Sequence, residues 1–275
     1  MTQAYIPCVL YLNGEYWGIY FLREKIDEDY ISQHLNVSPE SVTLLRGNWQ
    51  TIYGDNDEYI GFYSYAKKLD MTVAKNYRYV CSKIDIDSYI DYYIAQAYLG
   101  NRDVTNVKFY KSTESDGKWR WILFDLDYGF DYAYTEHYYT LYNLIKEEGT
   151  GYENKINNEL IRALLKNEEF LDRFLTRYGY WLNTSFVEEN VISAIDDMVD
   201  MLASEQERNA IRWNFKMSTY RWYVSTLKDF VQDGELNRRQ ILIEEARTLF
   251  NLTDEQVAKY FYPEASRPDS WEGTL

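Results

Sequence analysis

The spacing of apolar and polar positions divides the chain into a short β-rich front and a long helical remainder. Residues 5–22 predict a β-hairpin: Val9, Leu10, Tyr11 and Leu12 form a β-prone run, Asn13-Gly14 is a two-residue turn signal, and Trp17, Ile19, Tyr20 and Phe21 make the return strand. Residues 27–35 predict a short helix. Residues 36–60 are polar and rich in Gly, Asn and Asp, and read as an irregular loop with a short strand at 42–45. Residues 61–82 predict one or two helices with Tyr-rich faces. Over 85–99, Ile86, Ile90, Tyr93, Ile94, Ala97 and Tyr98 recur at helical spacing, with Asp85 or Asp87 as N-cap and Gly100 as the stop.

Two strands follow, Val107 to Lys111 and Lys118 to Phe124, joined through a Ser115-Asp116-Gly117 turn. Residues 128–158 carry many Tyr and Gly with weak periodicity and read as a long functional loop. From Glu159 onward the pattern is helical. Its stripes are Ile161, Leu164, Leu165; Phe170, Phe174, Tyr178, Leu182; Val187, Val191, Ile195, Met198, Leu202; and two more over Tyr220 to Val231 and Arg239 to Phe250. Residues 263–275 hold two of the four prolines and read as a loose tail. The expected fold class is α+β and mainly helical, with one domain over 1–262 and no linker.

Composition changes this picture in few places. Of 275 residues, 46% are hydrophobic, enough for a sizeable core. The 29 Tyr and 8 Trp are an unusual load of rings that can fill a core, stack on sugars or anchor an interface. A net charge of -15 excludes a nucleic-acid partner, which needs a basic surface, and favours a basic one. No apolar run has the length of a membrane span, and no signal-peptide pattern precedes Tyr5. Cys8 and Cys81 form no metal-binding spacing and read as two buried thiols or one disulfide. His34 and His137 are the only histidines, and neither sits in a nucleophile motif.

The candidate chemistry lies in Gly100-Asn101-Arg102-Asp103-Val104-Thr105-Asn106 and in Trp121-Ile122-Leu123-Phe124-Asp125-Leu126-Asp127-Tyr128-Gly129. A polar loop leaves a strong helix, a hairpin follows, and an aspartate pair leaves an apolar strand. This order places Asp103, Asn106, Asp125 and Asp127 at neighbouring strand mouths. Phosphoryl transfer needs positioned oxygen ligands and charge neutralisation, which carboxylates around a hard cation supply. The same residues also suit plain turn and cap chemistry, or Ca2+ binding.

Tyr11-Leu12-Asn13-Gly14-Glu15-Tyr16-Trp17-Gly18-Ile19-Tyr20 with Arg23-Glu24-Lys25-Ile26-Asp27, the Asn-x-Asp loop, the Asn-Val-Lys-Phe-Tyr strand and the Asp-Leu-Asp-Tyr-Gly-Phe turn resemble the signature segments of the spore coat protein H (CotH) kinase-like family. Leu164 to Phe170 and Arg208 to Trp213 resemble its helical C-terminal region, so the likeness covers roughly residues 5–250. The resemblance implies an atypical protein-kinase-like large lobe that uses ATP and Mg2+ or Mn2+ to phosphorylate protein Ser/Thr hydroxyls. Asp103 matches the catalytic aspartate and Asp125 the metal-binding aspartate. Asn106 matches the metal-binding asparagine, three positions after Asp103 where kinase loops place it five after. Asp127 either helps the metal or shapes the turn. Residues 8–22 correspond to the strands before a hinge at Arg23 to Asp27, where Glu24 is the candidate nucleotide contact or, alternatively, an ion-pair partner of a nearby Arg or Lys.

The resemblance also sets further expectations. No Gly-rich loop or Lys-bearing strand precedes Tyr5, so the earlier small-lobe strands are expected to be missing. The implied partners are a basic, Ser-rich protein substrate and a glycan or surface partner, in an extracellular, cell-surface or spore-associated setting. A catalytically inactive kinase-fold module for coat assembly or glycan binding is the alternative. A carboxylate glycosidase using Asp103 and Asp125 is a third reading of the residues, one that the resemblance opposes. Tyr132, Tyr134, Tyr138, Tyr139 and Tyr142 form either a substrate or glycan platform or ordinary packing. Arg208, Arg212, Arg221, Arg238 and Arg239 read as solvated or salt-bridged helix faces.

Overall fold

The computed structural model describes residues 1–103, 105–130, 140–146, 158–232 and 237–263. Strands β1 (Tyr5–Leu12) and β2 (Glu15–Arg23) form the expected antiparallel hairpin, with Asn13 (φ 51°) and Gly14 (φ 84°) in the left-handed conformations such a turn requires. Helix α1 (Glu28–Leu35) follows, and its N-cap Asp27 accepts from the Tyr30 N–H at 3.1 Å.

Residues 36–60 are more regular than the sequence pattern predicts. A 3-10 turn (Pro39–Ser41) leads into β3 (Val42–Arg46), and β4 (Gln50–Tyr53) returns antiparallel to it. The alternation of β4 is masked because its residues stay exposed or half-exposed. β5 (Lys108–Ser112) pairs with β3, and β6 (Arg120–Ile122) pairs with β5, giving an antiparallel sheet of order β4-β3-β5-β6.

This sheet separates two cores. Leu45, Phe109 and Trp121 point into the main core, whereas Val42, Leu44, Tyr110 and Ile122 join Ile26, Tyr30 and Ile31 in a smaller one. Alternation along β3 and β5 therefore feeds both sides. The main core is built around α4 (Ile86–Leu99), which also meets α2 (Asp57–Ala66) and α3 (Ala74–Cys81) within that cluster. Asp85 caps α4, accepting from the Ser88 N–H, and Gly100 (φ 62°) ends it in the left-handed conformation. Much of the tyrosine content is spent here: Tyr59, Tyr63, Tyr77, Tyr89, Tyr98 and Tyr178 are all buried.

The remainder is helical, as the periodicity predicts: α6 (Glu159–Leu164), α7 (Glu168–Asn183), α8 (Glu188–Trp213), α9 (Met217–Gln232), α10 (Arg238–Leu249) and α11 (Asp254–Phe261). One helix, α5 (Leu141–Ile145), lies inside the segment expected to be a loop. It is held from outside, because Glu245 on α10 accepts from the Thr140 hydroxyl and from the Leu141 and Tyr142 N–H groups. A five-residue helix fastened by a distant carboxylate has little periodicity to detect. Tyr132, Tyr134, Tyr138, Tyr139 and the 264–275 part of the expected tail lie outside the described residues; Tyr142 is exposed.

The helical arginines divide: Arg208 and Arg221 are exposed as expected, whereas Arg238 and Arg239 are turned to backbone carbonyls. Arg238 is 1% exposed and donates to the Tyr98 carbonyl at 2.9 Å and the Ala97 carbonyl at 2.6 Å. Arg239 bonds the Leu182 and Phe261 carbonyls. Arg208 and Arg212 lie over the Tyr16 and Trp17 rings, each at 3.9 Å, and so clamp the hairpin to α8. The approach is close enough that a Cβ at Gly18 (φ 130°) would sit 2.6 Å from Trp213 Nε1. Both cysteines are free thiols, half-buried. Among the described residues no helix is long and apolar enough to cross a membrane.

Candidate functional site

The site begins where α4 ends. Gly100 turns the chain, and the 1%-exposed side chain of Asn101 accepts from the Asp103 N–H at 3.1 Å. The Asp103 carbonyl in turn accepts from the Asn106 N–H at 3.1 Å. Asp103 is thereby held in a compact loop just before β5, half-buried, near enough to Tyr92 for its charge to add to the burial that raises that phenol's pKa.

The aspartate turn follows β6. Asp125 adopts φ 53°, a left-handed conformation that Asp tolerates better than most residues. The turn is sewn to the loop by backbone: the Arg102 N–H donates to the Tyr128 carbonyl at 3.4 Å, and the Phe130 N–H to the Leu99 carbonyl at 2.8 Å. Gly129 lies under this junction, where a Cβ would come within 3.0 Å of the Leu99 and Leu126 carbonyl oxygens. That crowding accounts for the glycine in Asp-Leu-Asp-Tyr-Gly-Phe.

One side-chain contact closes the site: Asn106 Nδ2 donates to Asp125 Oδ2 at 2.5 Å. The structure thus brings Asp125 and Asn106 together and joins them to the loop that carries Asp103. Asp127 stands exposed at the turn, and its carboxylate makes no hydrogen bond or ion pair among the described residues. Glu24 is elsewhere engaged. Its carboxylate accepts from the Ala4 N–H at 2.8 Å and lies 3.2 Å from His34 Nε2, while its carbonyl accepts from the Gln3 side chain. The basic partner that Glu24 finds is a histidine, not the Arg or Lys expected.

Lys108 is the residue that sequence reasoning passed over. It lies on β5, two positions after Asn106, with its ammonium 3.5 Å from the Ile26 carbonyl and 4.7 Å from the centre of the Phe124 ring. Burial lowers its pKa, as does Arg46, its cross-strand partner on β3, while Asp125 and Asp27 oppose this. Lys108 therefore stands between the 23–27 segment and the Asp125 turn, with Arg46 beside it on β3. Its apolar neighbours gave it the look of an ordinary strand residue.

The donor set suits a hard divalent cation. Asp125 supplies carboxylate oxygen, and the Asn106 side chain lies against it with its amide nitrogen turned to the carboxylate, so that its carbonyl oxygen is a second hard donor on a neighbouring residue. No group of three or more His, Cys, Asp or Glu side chains converges among the described residues.

The profile of the family described as CotH kinase protein matches residues 1–241. No curated protein matches the chain.

Proposed function

The chain belongs to the CotH kinase family, and on that premise we propose that it is an atypical protein kinase transferring the ATP γ-phosphoryl group to Ser or Thr hydroxyls. The observation that carries this reading is the Asn106–Asp125 hydrogen bond. It joins the loop after α4 to the turn after β6, the two segments that a kinase large lobe uses for its nucleophile and its metal.

In this reading Asp125 and Asn106 hold Mg2+ or Mn2+, which when bound neutralises charge on the transferring phosphoryl group. Asp103 accepts the hydrogen bond of the incoming hydroxyl and orients it, taking the proton as the new oxygen–phosphorus bond forms and the γ-phosphorus bond to the bridging oxygen breaks, that oxygen leaving with ADP. Lys108 places positive charge near Asp125. Asp127 shapes the turn. Glu24 marks the exit from β2, and its engagement by Ala4 and His34 leaves an adenine contact there dependent on opening those bonds.

The net charge of -15 favours a basic, Ser-rich protein substrate, and family membership favours a spore-associated or surface setting. A second reading, a binding module without transfer activity, is favoured by the hairpin, where Ile6 and Leu22 are each 67% exposed beside Tyr5 and Phe21. The test is transfer of γ-labelled phosphate from ATP to a basic serine peptide, with Mg2+ or Mn2+. Incorporation by the native chain and its loss in Asp103→Asn support the kinase reading. Incorporation at an equal rate in Asp103→Asn removes Asp103 from the reaction.

A further inference from the structure

The sheet face over the smaller core ends in two opposed cations. Val42 and Leu44 of β3 and Tyr110 of β5 belong to that core, and the period-two alternation of a strand puts Arg46 and Lys108 next on the same face. The register makes them direct partners, with Ile122 of β6 beyond Lys108. Like charges directly opposite across a ladder destabilise it, and an anion held by both removes that repulsion.

No carboxylate of the chain fills this role among the described residues. Lys67, Lys111, Arg120, Arg177 and Lys228 each pair with an Asp or Glu, as expected where 44 acidic residues outnumber 29 basic ones. Arg46 and Lys108 run against that trend. The carboxylates whose charge reaches Lys108 are Asp125 and Asp27, and both are engaged elsewhere. Asp125 accepts from the Asn106 amide, and Asp27 caps the Tyr30 N–H and pairs with Lys25 at 3.0 Å.

The pair also has donors to spare. The Lys108 ammonium carries three N–H groups. It is half-buried, and its hydrogen bond to the Ile26 carbonyl is a long one of 3.5 Å; the Phe124 ring, 4.7 Å away, offers a face but no lone pair. Burial and then Arg46 lower its pKa, the direction taken by an ammonium with no anion against it. Arg46 is exposed, and its guanidinium makes no hydrogen bond or ion pair among the described residues. Two positive charges on one rigid strand pair, unused donors and an opening to solvent at Arg46 suit a small oxyanion of more than one charge.

We propose that Arg46 and Lys108 form a phosphate-binding site, with the guanidinium and the ammonium both donating to the phosphate oxygens. The phosphate is one carried by a nucleotide or a free phosphate or pyrophosphate ion, since the recognising chemistry is the same. The site lies beside the 23–27 segment, is separate from the Asn106–Asp125 contact and needs no metal.

The test is calorimetric titration of the whole chain with sodium pyrophosphate, without metal or nucleotide and with sodium chloride of equal ionic strength as control, followed by MgADP and adenosine. Saturable binding of pyrophosphate is expected, weakened about tenfold or more in Arg46→Gln and in Lys108→Gln and largely kept in Lys108→Arg. Arg46 is exposed, so its replacement leaves the core untouched, and circular dichroism checks the fold of each variant. A matching loss of MgADP affinity in both Gln variants, with adenosine bound equally by all, assigns the phosphate to a nucleotide. MgADP bound equally by all, or by none, assigns the site to a free phosphate. No saturable pyrophosphate binding by the native chain, or native affinity in either Gln variant, would overturn the proposal. The phosphoryl-transfer reading rests on Asp103, Asn106 and Asp125 and on metal-dependent ATP binding, so failure of one leaves the other standing.

Discussion

Asn106 and Asp125 are 19 residues apart in the chain, yet the amide of one donates to the carboxylate of the other at 2.5 Å. The hairpin of β5 and β6 makes this possible, because its register returns the chain to the loop it left. The bond holds the two side chains together and turns the Asn106 amide nitrogen toward the Asp125 carboxylate.

Replacing Asn106 by Ala removes that orienting contact and a candidate oxygen ligand, and leaves Asp125 in place. The expected outcome is metal-dependent nucleotide binding about 10- to 100-fold weaker, with the fold retained. Mn2+ titration in the presence of nucleotide measures it, with circular dichroism as the control. Affinity equal to the native chain would show that Asn106 only shapes the loop.

Arg238 acts from further away. It binds the Ala97 and Tyr98 carbonyls, at the end of α4 where its charge also favours the helix dipole, with Phe230 against its guanidinium at 4.6 Å. Arg238→Met keeps the length and loses the donors. Two buried carbonyls then lack them, and a loss of about 3 kcal/mol is expected in urea unfolding. Because α4 delivers Gly100 and Asp103, nucleotide affinity should fall as well.

The hairpin is fastened to α8 by Arg208, Arg212 and Asn209, whose Oδ1 accepts from the Ile19 N–H at 3.1 Å. Gly18→Ala forces a side chain into Trp213 and into a φ that L-residues avoid. Hydrogen exchange over residues 5–23 should rise strongly in this variant, while α4 and α7 keep their protection. Uniform exchange across the chain would mean that the hairpin is not a separable unit.

Acid sensitivity follows from two carboxyls of opposite sign. The Arg120 guanidinium holds Asp116 below the ordinary carboxylate range, so Asp116 contributes stability above that range and loses it as pH falls through the lowered value. Burial raises Glu245 despite the bonds it accepts from Thr140 and Tyr142, so its contribution is fullest at low pH and is lost as pH rises through the raised value. Urea midpoints from about pH 3 to pH 7 should show a shallower acid limb in Asp116→Asn and a gentler decline on the neutral side in Glu245→Gln. Parallel curves for both variants and the native chain would contradict the assignments.

Elements with strong local signals were legible before any coordinates. Asn13-Gly14 could hardly be anything but a hairpin turn, and the apolar stripe from Ile86 to Tyr98 between Asp85 and Gly100 marks α4 at both ends. The order of loop, strand pair and aspartate turn pointed to Asp103, Asn106 and Asp125, and the fold brings Asn106 and Asp125 into contact. What escaped was set by tertiary contacts. β4 has an exposed alternation that mimics a loop, and α5 depends on the Glu245 carboxylate contributed by α10. Arg238 looked like a surface residue because only its position against the end of α4 makes burial favourable. Lys108 gave no signal because its significance lies in what β3, the 23–27 segment and the Asp125 turn place around it.

The most direct test of the central claim is calorimetric titration of ATP, with and without Mg2+, into the native chain and into Asp125→Asn. The account predicts binding that requires the metal in the native chain and is lost in the variant, whose unfolding midpoint stays unchanged. Metal-independent binding, or equal affinity in the two proteins, would contradict the assignment of Asp125 and with it the phosphoryl-transfer site.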